Sequence, residues 1–252
     1  MTDQEQTGEA AVDAQIDALM TSAAGDQPAR TSHPAPREAL DREEELIRDA
    51  VLRMGALVEA AIRQASRALT SHDTELAMDV IRGDAIINEA QRGVSRLIAV
   101  TIATQQPVAR DLRYLLTLDH VTYELERMGD HASSLAKQTL KLAPEPPLEG
   151  YVHLPEMAER DALLVHGVLR ALVDADAVQA RQIAVDDDEI DRLYHATFDE
   201  VIELMRRDPA NVERGTRIII ASHYLERIGD RATNIAEDVV YLVTGEVEDL
   251  NP

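Results

Sequence analysis

The sequence predicts an all-α fold of two tandem three-helix bundles, six long helices in a duplicated order. Three observations carry this. Apolar residues recur at three- and four-residue spacing over segments of about 30 residues, each on the order of 45 Å as a helix. Aromatics are scarce, with one Phe and no Trp, so the core must come from Leu, Ile, Val, Ala and Met, a palette that favours helices over strands. And "LERMGDHASSLA" (Leu125 to Ala136) returns one hundred residues later as "LERIGDRATNIA" (Leu225 to Ala236).

Residues 1–36 are rich in Ala, Pro, Ser, Thr and acids, a composition that reads as a disordered tail. The first bundle is expected over 37–142. Its first helix follows apolar positions Leu46, Ile47, Ala50, Val51, Met54, Leu57, Val58, Ala61, Ile62, Ala65 and Leu69. "SHD" (71–73) breaks it, and Asp73 suits the cap of a second helix running to about Gln105. Pro107 suits the first turn of the third, which runs to about Lys141. Pro144, Pro146 and Pro147 mark a linker over 143–153. The second bundle is expected over 154–245, with helices near 154–173, 175–207 and 212–243 divided at "DAD" (174–176) and "DPAN" (208–211), and a C-terminal tail over 246–252.

The halves align in register. Asp84, Ile87 and Asn88 match Asp187, Ile190 and Asp191; Pro107 matches Pro209; Leu125 matches Leu225. Short turns between helices make antiparallel neighbours, so each copy is a three-helix bundle.

In each motif two acids stand one helical turn apart, Glu126 with Asp130 and Glu226 with Asp230. In a chain with 47 acids such pairs are common by chance; repetition in register sets these apart. Asp84 and Asn88, then Asp187 and Asp191, add a second pair per half from the preceding helix. Facing helices that bring these together offer an oxygen-only site for Fe, Mn, Mg, Ca or Zn. The competing reading puts Arg127 and Arg227 in salt bridges with the motif acids on a solvated face and makes Asp84 and Asp187 plain surface acids. Gly129 and Gly229 each cost about 1 kcal/mol against Ala in a helix, which implies close helix approach or room beside the carboxylates. His131 has Arg231 as its counterpart, and a lone His reads as structural.

A net charge of −22 argues against nucleic acid as a partner. No apolar run approaches a membrane span and the N-terminus lacks a basic leader, so a soluble cytoplasmic protein without membrane insertion is expected. Absence of Cys removes disulfides and thiolate metal sites. No nucleophile constellation or phosphate loop is present, and an enzyme is not expected. A ferritin-like metal-carboxylate enzyme would need Glu-x-x-His motifs, which this chain lacks; a plain helical scaffold is the third reading.

"MGALVEAAIRQASRAL", "IRGDAIINEA", "QQPVARDLR", "LERMGDHA" and "LERIGDRATNIAE" together resemble the PhoU family over about 40–245. The resemblance implies a cytoplasmic regulator of phosphate uptake, commonly a homodimer. It would restrain the phosphate ABC transporter through its ATPase subunit and help a phosphate-sensing histidine kinase keep the starvation response off. It also implies iron or other metals on the acidic pairs, here Glu126, Asp130, Glu226 and Asp230 with Asp84, Asn88, Asp187 and Asp191. Asn88 is neutral, so the first site is expected to bind less tightly than the second.

Overall fold

The computed structural model describes residues 36–146, 148 and 153–251. Six α-helices account for nearly all of them: α1 Pro36–Ser71, α2 Thr74–Gln105, α3 Arg110–Leu142, α4 Leu154–Asp174, α5 Ala177–Arg207 and α6 Val212–Thr244, with a 3-10 turn at Pro209–Asn211 before α6. The predicted tail lies outside the described residues except for Pro36, which opens α1.

The duplication is visible at atomic detail in the corners. After α1, the His72 N–H donates to Leu69 O at 3.4 Å and the Asp73 N–H to Ala68 O at 2.9 Å. After α4, Ala175 and Asp176 repeat these bonds to Leu172 O and Ala171 O at 3.4 and 2.9 Å. His72 and Ala175 both adopt positive φ, 54° and 50°. The carboxylates of Asp73 and Asp176 then each accept from two free N–H groups of the following helix. One turn design was copied with its bundle.

The third helix departs from expectation. Pro107 does not start it. Gln106 closes α2 in the left-handed region, Ala109 takes φ 47°, and α3 begins only at Arg110. The two positive-φ residues turn the chain on either side of the proline, leaving Pro107 in the loop. Pro209 does open a helical turn, the 3-10 segment.

Within each half all three helices touch one another. The halves join through α1 against α4 and α3 against α6, while α2 and α5 flank the outside. Aliphatic side chains such as Met54, Ile62, Leu125, Met157, Val165 and Ile228 are fully buried and belong to one continuous core across both halves. The chain after Gly245 folds back: the Glu248 carboxylate accepts from Arg181 of α5, and the Leu250 N–H donates to Glu237.

Candidate acidic sites and the junction of the repeats

The two motif helices pack antiparallel against each other, and their pairings follow the internal two-fold symmetry. Arg231 donates to Glu124 at 3.2 Å, while the matching pair, His131 and Tyr224, stacks with ring centroids 6.0 Å apart. The duplicated motif therefore lies at the centre of the contact between halves. Glu124 is 2% exposed and also accepts from Asn234 at 3.3 Å; His120 lies 3.5 Å from it and 2.5 Å from Asp238. His120 is thereby pushed up, first by its bond to Asp238, against the opposing effect of burial. His131 is pulled down to about 4 by burial and by Arg231, Arg227, His223 and Arg127 around it. It is a structural ring, as its lone occurrence implied.

The acids predicted in the first half come together. Asn88 donates to Asp84 at 3.4 Å. Burial, then the charge of Asp130, raises both Asp84 and Glu126. Arg127 lies 3.7 Å from Asp130 but spends its hydrogen bonds on the Tyr123 hydroxyl.

The second half gathers the same positions more deeply. Asp187 is 3% exposed, and burial pushes it up to about 7; the Thr233 hydroxyl, donating to it at 3.1 Å, opposes the rise, and Asp191, Asp230 and Glu226 add to it. Burial, then Asp230, raises Asp191 and Glu226. Asp230 is paired with Arg227 at 2.7 Å and accepts from Asn251 at 3.3 Å. The salt-bridge reading thus holds for this acid, while the surface-acid reading fails for Asp187, which is buried with its Oδ1 lacking a hydrogen bond. In the first half Ser133 replaces Thr233, and its hydroxyl finds no partner.

The glycines serve two different neighbours. A Cβ at Gly129 would stand 3.1 Å from two carbons of Ile87, so the missing side chain lets α2 seat an isoleucine. A Cβ at Gly229 would stand 2.1 Å from Asp187 Oδ1, so there the gap holds a carboxylate.

One member of the second cluster escaped prediction. Asp161 of α4 is 0% exposed, neither oxygen has a hydrogen-bond partner, and burial with the charges of Asp187, Asp230 and Glu226 lifts it well above the usual carboxylate range. The signal was available: Asp161 interrupts the apolar stripe Leu154, Met157, Ala158, Val165, Val168 at a position where the first half has Val58, also 0% exposed. Glu124 interrupts α3 in the same way. As the side chains stand, no three His, Asp or Glu residues among those described converge on one point as a ready-made ligand set.

A groove of about 910 Å³ elsewhere runs between the start of α1 and α3 and the ends of α4 and α6. Its arginines 37, 48, 110 and 113 are matched by Asp41, Glu44, Glu45 and Asp111, so it presents no net positive field to an anion. No described helix is long and apolar enough to cross a membrane.

Fold and site define a class: a duplicated three-helix-bundle protein whose repeats meet at a shared motif, with carboxylates grouped beside that motif in each half. The chain belongs to the PhoU family. The PhoU domain model matches residues 51–139 and 154–239, one copy per bundle. A phosphate-specific transport system accessory protein PhoU homolog of Clostridium acetobutylicum is 34% identical over 216 residues, covering 85% of this chain and 99% of that one. The Pseudomonas aeruginosa homolog is 36% identical over 209 residues, 82% of this chain and 86% of its own. The crystal structure of PhoU from P. aeruginosa superposes with a TM-score of 0.78 at 36% identity, covering 82% of this chain and 99% of that one. The phosphate transport system regulatory protein PhoU of Streptococcus pneumoniae gives 0.77 at 33%, covering 83% and 99%.

Proposed function

We propose that this chain regulates phosphate uptake and phosphate-starvation signalling as a non-catalytic cytoplasmic protein. In this reading it restrains a phosphate ABC transporter through the ATPase subunit and helps a phosphate-sensing histidine kinase repress the phosphate regulon, acting as a homodimer. Family membership across both repeats, with relatives named as accessory proteins of phosphate-specific transport, carries the reading. Deleting the gene should raise phosphate uptake and starvation-gene expression in phosphate-replete cells, and affinity capture should recover the ATPase subunit. Unchanged uptake together with no recovered ATPase refutes it.

A cation, Fe, Mn, Mg or Zn, at the acid clusters belongs to this reading. The donors present are carboxylate and amide oxygens, which suit such ions. Buried oxygens without hydrogen bonds on Asp84, Asn88, Asp161 and Asp187 support the fit. Asp84, Asn88, Glu126 and Asp130 would hold it in the first half, and Asp187, Asp191, Glu226 and Asp230 in the second. Bound there, it would supply positive charge that removes the repulsion among these acids.

A further inference from the structure

We propose that residues 10–20 dock as a short amphipathic helix in the groove between the starts of α1 and α3 and the ends of α4 and α6, so that the chain's own N-terminal segment occupies this surface. The inference is independent of the phosphate and cation readings above.

The groove has an apolar floor and an exposed apolar rim. Leu172 is buried and Tyr114 and Leu242 are half-buried, while Val173 and Val243 are 42% and 44% exposed. Acids and arginines balance there in number but not in pairing. Arg37 bonds Asp111 and Asp41, and Arg48 bonds Glu45. Arg110 and Arg113 of α3 form no ion pair among the described residues. The charge of Arg110 reaches Glu44, and Arg113 lies over the Tyr241 ring at 5.2 Å. An apolar stripe with acids beside it is the complement of such a surface.

The sequence ahead of α1 holds one. "AAVDAQIDALM" (Ala10 to Met20) places Val12, Ile16, Leu19 and Met20 at helical spacing, with Glu9, Asp13 and Asp17 along the adjacent edge. Its four alanines favour a helix. A helix this short is marginal in water, so it needs a surface on which to bury the stripe. Anchors at this spacing are those by which a helix enters an apolar groove. The reach suffices. Fifteen residues separate Met20 from Pro36, roughly 50 Å when extended. Pro36 opens α1, and Arg37, Asp41 and Glu44 of its first turns line the groove.

The internal repeat supplies a parallel. In the duplicated order, the counterpart of the segment entering α1 is the linker entering α4. That linker is tied down. Arg214 of α6, one hundred residues after the groove residue Tyr114, donates to Pro146 O at 2.9 Å, and Leu148 is buried in the common core.

The chain has no cysteine, so engineered pairs report contact without background. In the full chain, Ile16→Cys with Val243→Cys should close an intramolecular disulfide about tenfold faster under mild oxidant than Ile16→Cys with Val108→Cys. Val108 is the more accessible target, at 73% exposed, but does not line the groove. Adding Val12→Asp and Leu19→Asp should remove the preference. Hydrogen exchange read by mass spectrometry should show residues 10–20 protected about tenfold in the natural chain and unprotected with those two changes. Equal closure of the two pairs, a preference that survives Val12→Asp with Leu19→Asp, or no protection in the natural chain overturns the proposal. Disulfide-linked dimers in place of intramolecular closure overturn it too, and assign the groove to a second copy.

Discussion

At the scale of the residue, identical motif positions meet different surroundings and acquire different physics. Gly129 and Gly229 are equivalent in sequence, yet one clears an isoleucine and the other a carboxylate. Adding a methyl gains about 1 kcal/mol of helix propensity at either site. At Gly129 the Ile87 carbons need move only a few tenths of an ångström, so Gly129→Ala should be close to neutral. At Gly229 the methyl displaces the Asp187 carboxylate and its bond from Thr233, so Gly229→Ala should lose about 1–2 kcal/mol net of that gain. Urea unfolding of the two variants gives the order; equal losses refute the distinction. His131 illustrates the same point for charge. Its folded value of about 4 lies below the ordinary 6.5, so the folded state takes up fewer protons than the unfolded one between these values. Its contribution is a loss of stability as pH falls from 6.5 toward 4. His131→Phe keeps a ring against Tyr224 and removes that loss. The difference in melting temperature between variant and natural chain should therefore grow on acidification across this window; a pH-independent difference contradicts it.

At the scale of the element, helix ends rather than interiors distinguish what composition encodes from what the chain tolerates. Asp73 and Asp176 cap α2 and α5 through the same two-bond arrangement, and each replacement by Ala should cost about 1 kcal/mol. The residues before them are less suited to their places. Ala175 sits at φ 50° and ψ 46°, where an L side chain is disfavoured and glycine is not. Ala175→Gly should stabilise by about 0.5–1 kcal/mol, with chemical denaturation as the check. The helices themselves were legible because the apolar stripes of Ile47 to Leu69 and Leu154 to Val168 are long and regular. The start of α3 was not. Pro107 is compatible with a first turn, but positive φ at Gln106 and Ala109 is a choice made by how α2 and α3 must turn, and neither residue type announces it.

At the scale of the molecule, the repeats do not behave as beads on a string. They share one core, and α3 meets α6 through a buried charge network centred on Glu124. Glu124→Ala leaves Arg231 and Asn234 without their acceptor and should cost about 1.5–3 kcal/mol. Because the core is continuous, the loss should appear as a shift of one unfolding transition, with calorimetric and van't Hoff enthalpies in agreement. Two resolved transitions in the natural chain would show that the halves unfold separately.

The sequence by itself determined the helical class and the duplication, because periodicity and repetition are properties of the chain read along its length. Asp84 and Glu126 feel the charge of Asp130 in one half, and Asp187, Asp191 and Glu226 that of Asp230 in the other, without meeting as one ligand set among the described residues. Only the tertiary structure decided which of them are sealed from water, what each glycine makes room for, and that the motifs cross one another at the junction. It also brought Asp161 to the second cluster from a helix that carries no motif. Burial and desolvation depend on neighbours distant in sequence, and α4 meets α5 and α6 only once the bundle has closed.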